Sequence, residues 1–402
     1  ERNGRCELIE TQVNSRRSIS GGSVRLACPE GSADLGLAAP DGAFFFFKLF
    51  ERRSETCRKF PLADADRTSF GEVEGGYGAA MTLGTPSLGM CFDRSLPPAA
   101  VVEFAEGLEA SGVEQLWVIE DCFFTAGISL AATALARTDQ LQVGLGILPA
   151  VARNAAVTAM EIATLAELAP GRLLAGIGHG VQDWMEQMGA RTPSPLTTLN
   201  EVITTVRRLL RGETVTFDGS EVTMHDVTLV PAPTQIPPVL AGVRGPKSLA
   251  LAGQIADGVV LAEGSSPAYV RQSIERAGSP DGFRTSVFSA LCLIPNRKLA
   301  HHAMSPFVAG LLSQPEAGIQ AHPHFDEMIE RFTSGGIEAI ADFPDDWWVD
   351  IGAIGTLDDV VAHIEALTDA GADDVSLFPG PTLDLARDGL QSVIKIRQAL
   401  AS

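Results

Sequence analysis

Long hydrophobic runs are missing from this chain. Across 402 residues, 45% of them hydrophobic, no purely apolar run reaches the ~20 residues a membrane span needs. Basic runs are missing too. Thirty Lys and Arg stand against fifty Asp and Glu, a formal net charge of −20. Such a chain repels a phosphate backbone, which argues against nucleic acid as a partner. The six cysteines, at positions 6, 28, 57, 91, 122 and 292, form no CxxC pair and no dense framework. Unpaired thiols point to a reducing compartment. No G-x-S-x-G elbow offers Ser/His/Asp chemistry, and no internal repeat stands out. The expectation is a soluble, cytoplasmic protein without membrane or nucleic-acid partners.

The chain divides near residue 81. Residues 1–80 are nearly balanced in charge, so the negative excess belongs to residues 81–402. The first 80 show no sustained helical or strand period, begin with Glu and end in the flexible stretch Gly75-Gly76-Tyr77-Gly78. Their apolar cluster, Phe44 to Phe47 beside Lys48, is too short for an anchor or a usual signal segment. Two readings stand: a partner-binding arm, or a poorly ordered extension upstream of a true start at Met81. The expectation is the extension, without chemistry of its own, followed by one domain over 81–402.

From Met81 onward, short apolar runs alternate with longer amphipathic ones. Strands are expected at Ser87–Phe92, Gln115–Ile119, Gln142–Ile147, Leu173–Gly178, Pro238–Ala241, Gly258–Leu261, Thr285–Ile294 and Val375–Phe378. Helices are expected at Pro98–Ser111, Ala155–Leu168, Leu196–Leu210, Pro246–Ala256 and Leu357–Ala370, with Gly112, Pro170-Gly171 and Gly371 as stops. This order fits an α/β fold, a parallel (β/α)8 or TIM barrel, better than an open sheet. Two insertions interrupt it. One is a hairpin of Val215–Phe217 and Val222–Met224 around Asp218-Gly219. The other is a long, less regular excursion over 295–355.

Such a barrel does its chemistry at the C-terminal strand ends. The second strand runs out in Glu120-Asp121-Cys122-Phe123-Phe124: two carboxylates, a thiol and two aromatics. Asp121 reads equally as a pocket wall or a helix cap, Glu120 rather as a cap or structural pair. The third, Gly144-Leu145-Gly146-Ile147-Leu148-Pro149, carries glycines that mark a bulge or a close approach to something flat. The fourth leaves as Gly176-Ile177-Gly178-His179-Gly180-Val181-Gln182, whose backbone N–H groups can cradle an anion, although glycines also serve tight turns. After the fifth, Gly242-Val243-Arg244-Gly245-Pro246-Lys247-Ser248 brings two cations to a helix start. This favours a bound phosphate over a solvated surface.

In this order, Leu116–Phe123, Val143–Leu148 with Met160–Ala163, Pro170–Ala190, Pro238–Val259 and Gly355–Pro379 resemble the luciferase-like monooxygenase superfamily, in particular its deazaflavin-dependent oxidoreductase branch. The resemblance spans roughly residues 85–400. It implies a (β/α)8 barrel holding coenzyme F420, or FMN in relatives, at its C-terminal mouth, and a homodimer. It also implies a non-prolyl cis peptide behind the ring, here Gly146-Ile147, with Asp121 and Cys122 beside the ring. Gly178, His179, Gly180 and Val181 would follow the ribityl and phosphate side. Gly242, Val243 and Gly245 would meet the phosphate, with Arg244 and Lys247 on it or on an acidic tail.

The departures narrow the chemistry. Relatives that oxidise a sugar phosphate carry Asp-His at the second-strand mouth and Glu after the fourth-strand glycines, where this chain has Asp121-Cys122 and Val181. Oxidation of glucose 6-phosphate is therefore not expected. Asp121 and His179 are the candidate catalytic residues. His179 titrates in a useful range, but it also reads as a phosphate-side histidine that moves no proton. Cys122 reads as a ring contact or a buried, inert thiol. No metal site is expected: His301-His302 and His322-Pro323-His324 are taken as surface or insertion-loop residues without further ligands in place. Trp347-Trp348 reads as a substrate lid or a packing wedge. The leading expectation is an oxidoreductase passing hydride between C5 of a deazaflavin and a small organic molecule. The alternatives are an FMN monooxygenase using reduced flavin and O2, and a barrel that binds a flavin-like ligand without turnover.

Overall fold

The computed structural model describes residues 86–401 and, outside that span, two short strands, β1 (Ser23–Leu26) and β2 (Ala33–Gly36), which pair antiparallel. The expected extension over 1–80 and the boundary at Met81 otherwise lie outside the described residues.

Strands that are apolar on both faces need cover on both sides, and a closed parallel barrel inside a ring of helices supplies it. In chain order come β3 (Ser87–Phe92), β4 (Gln115–Ile119), β5 (Gln142–Pro149) and β6 (Leu173–Gly178). A hairpin of β7 (Val215–Asp218) and β8 (Thr223–Val227) comes next. The chain continues with β9 (Val239–Gly242), β10 (Gly258–Leu261), β11 (Arg284–Leu293), β12 (Ala353–Gly355) and β13 (Asp374–Phe378). Parallel pairing runs β3–β4–β5–β6–β9–β10–β11–β13, and β13 returns to β3 through Asp374↔Ser87. The result is a closed eight-strand barrel. β12 pairs only with the C-terminal end of β11.

Helices surround it: α1 (Val101–Ala110), α2 (Gly127–Arg137), α3 (Ala155–Leu168), the short α4 (Gln182–Gln187), α5 (Pro195–Leu210), α6 (Pro246–Ile255) and α7 (Pro267–Ala277). After β11 come α8 (Arg297–Ser313), α9 (Ala317–Gln320), α10 (Phe325–Ala341) and α11 (Asp345–Ile351), then α12 (Leu357–Asp369) and α13 (Leu383–Leu400). Short polar side chains start several of them. Asn154, Ser194, Ser266 and Thr382 each accept a first-turn N–H, and Thr356 with Asp359 forms a capping box.

The excursion over 295–355 is more regular than its sequence suggests. α8 to α11 pack on a second core that includes Met304, Val308, Met328, Phe343, Trp347 and Trp348 and reaches Ala290 of β11 and Ile354 of β12. Pro306 inside α8 and the left-handed Gly336 (φ 65°) inside α10 break the helical pattern that would have announced them. Trp347 and Trp348 are therefore packing wedges. His301, stacked on Trp348 with centroids 4.4 Å apart, and His322 are buried rather than at the surface. Among the described residues no His, Cys, Asp and Glu cluster could hold a metal ion, and no helix is long and apolar enough to cross a membrane.

Inside the barrel lie Cys91, Trp117, Ile119, Leu174, Leu240, Val260 and Phe288. Trp117 and Phe288 meet edge to face, centroids 5.1 Å apart. Gly144 makes room for the indole, since a Cβ there would lie 2.5 Å from Trp117 Cε2. The flat object that Gly144 approaches is thus a side chain of the core.

His363 on α12 is fully buried. Its Nδ1–H donates to the Val349 carbonyl (2.5 Å) and its Nε2 accepts from the Ser289 hydroxyl (2.8 Å). Burial pushes its pKa from the usual 6.5 down to about 4. As pH falls the unfolded chain takes up this proton first, so stability present above pH 6.5 is lost between 6.5 and 4. In chemical denaturation at pH 7 and pH 5, His363→Gln is expected to be less stable at pH 7. It should also lose about 2 kcal/mol less than the parent protein on acidification.

Candidate functional site at the barrel mouth

β5 bulges against β6 between Leu145 and Leu148, and the Gly146–Ile147 peptide there is cis, at the position the resemblance implied. The Ile147 side chain occupies space left by glycines on two neighbouring strands. A Cβ at Gly176 would lie 2.9 Å from Ile147 Cγ2 and one at Gly242 would lie 2.6 Å from Cδ1. A Cβ at Gly178 would meet both Ile147 Cδ1 and, at 2.7 Å, the Gly242 carbonyl oxygen. Gly146 faces Phe288 and Ile119 at the top of the barrel core. Gly178 and Gly242 therefore serve first as a seat for Ile147. What remains at the strand ends is a ledge of backbone with little side-chain relief.

Ile119 pairs with Gly146, so Asp121 comes directly beside this ledge. Arg94, two residues past β3, donates from Nη1 to Asp121 Oδ2. Its guanidinium lies over the rings of Phe124 and Trp184, 4.8 and 5.7 Å from their centroids. Burial raises the Asp121 pKa against the pull of Arg94, and the carboxylates of Glu263 and Asp93 push the same way. The Cys122–Phe123 peptide is also cis. Burial, then Glu120 and Asp121, raise the Cys122 pKa, which disfavours the thiolate that nucleophilic chemistry needs. Glu120 is engaged elsewhere, accepting from the Gly127 N–H at the start of α2 (2.7 Å) and from Arg153 Nη2 (2.8 Å). It is a cap and a structural pair.

On the other side of the ledge, β6 leads into His179, Gly180 and Val181. Both His179 ring nitrogens are engaged. Nδ1–H donates to the Pro195 carbonyl (3.1 Å), which leaves Nε2 to accept from the Ser248 hydroxyl (3.0 Å). Burial lowers its pKa, so the neutral ring ties the starts of α5 and α6 to the end of β6. Gly180 holds a left-handed turn (φ 72°), and Val181 is exposed. β9 then delivers Val243, whose side chain is buried in the core, and Gly245, which starts α6 without a side-chain cap. A Cβ at Gly245 would meet nothing within 4 Å. The start of α6, with exposed Lys247 in its first turn, is thus an open, positively polarised end. Arg244 is ion-paired with Glu316, just before α9, and its carbonyl accepts from the Tyr269 hydroxyl (2.6 Å).

The candidate residues accordingly converge on the adjacent ends of β4, β5, β6 and β9. Arg94, Trp184, Ser248, Glu263 and Glu316 were missed. Arg94 and Glu263 were open to the same rule that flagged Asp121, since each lies two residues beyond a barrel strand. Ser248 and Glu316 reveal themselves only through partners distant in sequence.

Residues 78–374 match the family described as luciferase-like monooxygenase. A 5,10-methylenetetrahydromethanopterin reductase of Methanolobus tindarius is 28% identical over 307 residues, which covers 72% of this chain and 93% of the relative. An F420-dependent glucose-6-phosphate dehydrogenase of Kineococcus radiotolerans is 28% identical over 206 residues, 46% of this chain and 61% of the relative. Among solved structures, the coenzyme F420-dependent tetrahydromethanopterin reductase of Methanopyrus kandleri superposes with a TM-score of 0.62 at 21% identity. That match covers 78% of this chain and 97% of the other. At that identity the likeness speaks for the fold.

The seat of Ile147 is open to a double-mutant test. Gly178→Ala alone is expected to cost about 1–3 kcal/mol in chemical denaturation, as overpacked sites do. In the Ile147→Ala background the same change should cost clearly less, because one of its two clashes is gone. Equal costs would show that Ile147 does not fill the notch.

Proposed function

Because the chain belongs to the luciferase-like monooxygenase family, we propose that it is a coenzyme F420-dependent oxidoreductase acting on a small organic molecule. The observation that carries this reading is the bulge at Ile147. The backbone ledge at Gly146, Gly178 and Gly242 suits a flat ring system, with Asp121 at one edge and the uncapped start of α6 beyond the other. There a phosphate would meet N–H groups and the positive end of a helix. The Kineococcus and Methanopyrus enzymes are F420-dependent by name, which supports the same cofactor.

On this reading Gly146 and Ile147 back the ring, and Asp121 and Cys122 flank it. His179, Gly180 and Val181 line the ribityl side. Val243, Gly245 and Lys247 meet the phosphate, with Arg244 on its flank. Gly178 and Gly242 act through Ile147. When bound, the deazaflavin supplies a ring carbon, C5, that gives or takes a hydride. Asp121, a carboxylate paired with Arg94 whose pKa burial raises, is the group placed to exchange the accompanying proton. His179, with both nitrogens engaged, is a positioning residue. A cytoplasmic location accords with the free thiols of Cys91, Cys122 and Cys292.

The test is a fluorescence titration of the full chain with coenzyme F420, with FMN in parallel. Tight, saturable F420 binding with weak FMN binding is expected. Preference for FMN would replace this reading with a flavin monooxygenase, and binding of neither would leave a barrel without this chemistry.

We also propose a homodimer formed through α3. Val157, Met160 and Leu168 are 46%, 53% and 69% exposed along one face of that helix, an apolar strip that a second copy would cover. Light scattering on the full chain should give twice the chain mass, and Met160→Arg combined with Leu168→Glu should halve it. A monomeric parent, or a variant that stays dimeric, would overturn the α3 interface.

A further inference from the structure

The two flanks of the mouth differ in charge and in polarity. The α6 flank carries Lys247 and Arg244. The opposite flank, at the ends of β3 and β4, carries large apolar side chains in water. Phe123 is 63% and Phe124 44% exposed, and Val181, across the ledge at the start of α4, is 42% exposed. Trp184, one turn along α4, is buried and lies with Phe124 around the Arg94 guanidinium, so exposed Phe124 is anchored on the mouth rather than an isolated exposure. The rim's cation is already committed, because Arg94 is paired with Asp121. Glu263 and Asp93 act on the Asp121 carboxylate from nearby and add negative charge to this flank. A sugar phosphate or a carboxylate would meet repulsion here, whereas a rigid uncharged ring would cover apolar surface without displacing an ion pair.

From this arrangement we propose that the open face of the mouth takes a neutral, ring-bearing organic substrate, held by exposed Phe123 and Phe124 with buried Trp184 behind them, and discriminates against anions. This rests on reading the mouth as the cofactor site.

The test compares two probes that share one ring system: 2-naphthol, neutral at pH 7, and 2-naphthoate, an anion. Each is titrated calorimetrically into the full chain, with and without saturating coenzyme F420. The neutral probe should bind at least tenfold more tightly than the anion. Phe123→Ser combined with Phe124→Ser should weaken it at least fivefold, whereas Ile236→Ser, which removes an apolar side chain 52% exposed outside the mouth, should leave it unchanged. Equal affinities for the two probes, or a rim variant that binds as the parent does, would overturn the inference. Coenzyme binding by the parent protein is measured separately. If F420 fails to bind, the proposed function falls and the probe comparison on the free protein still judges the rim. If F420 binds and the naphthol preference is absent, only the substrate inference falls.

Discussion

Ile147, in the bulge of β5, presses its side chain into a notch walled by Gly176, Gly178 and Gly242, and that contact holds three strand ends in register at once. At Gly176 a Cβ would run into the Leu145 carbonyl as well as Ile147, and at Gly178 into the Gly242 carbonyl. The backbones of β5, β6 and β9 therefore approach more closely than side chains permit, and close-packed interiors transmit any enlargement to their neighbours. Val181 and Gly245 lie only three residues beyond Gly178 and Gly242. Their placement, and with it the open start of α6, depends on how Ile147 is seated.

Around that seat lies a second layer of polar ties. His179 bridges the ends of β6, α5 and α6 through Pro195 and Ser248. Ser266 caps α7 and also donates to the Gly318 carbonyl (3.3 Å), while Gly318 approaches Gly264 too closely for any side chain. The helical excursion therefore builds its Trp347–Trp348 core against Ala290 of β11 and Ile354 of β12, and also docks on the β10 end by backbone contact. An element whose core touches the barrel only at its strand ends can vary in length and content without unsettling the barrel. That is the physical basis for building one wall of the mouth from it.

Much of the barrel was legible. β3, β4, β6 and β10 have the bounds that their apolar runs predicted, because each run stops at turn-forming or charged residues. The hairpin came from Asp218-Gly219. The position of the cis bulge came from family resemblance alone, since nothing in Gly144-Leu145-Gly146-Ile147 distinguishes one glycine's purpose from the other's. Gly144 makes room for Trp117 and Gly146 for Phe288 and Ile119, partners brought together only by barrel closure. The same holds for Gly178 and Gly242, whose lack of a side chain makes room for an isoleucine that only the folded barrel brings to them. Arg94 was within reach of the strand-end rule. Glu316 was not, because it sits in the short link between α8, which Pro306 interrupts, and the four-residue α9.

Charge divides the mouth further. In a chain of net charge −20, both arginines at the rim already have acidic partners: Arg94 has Asp121 and Arg244 has Glu316. The pairs are not equivalent. Arg244 and Glu316 keep 48% and 57% of their side-chain surface exposed, so water and salt screen the pair and little is lost when it opens. Arg94 and Asp121 keep 16% and 30%, and separating them would leave a largely desolvated carboxylate beside two further acids. An anion arriving at α6 can therefore draw Arg244 away from Glu316, whereas one arriving at β4 cannot draw Arg94 away from Asp121. Unequal burial of two otherwise similar ion pairs thus makes one flank of the ledge receptive to negative charge and closes the other to it.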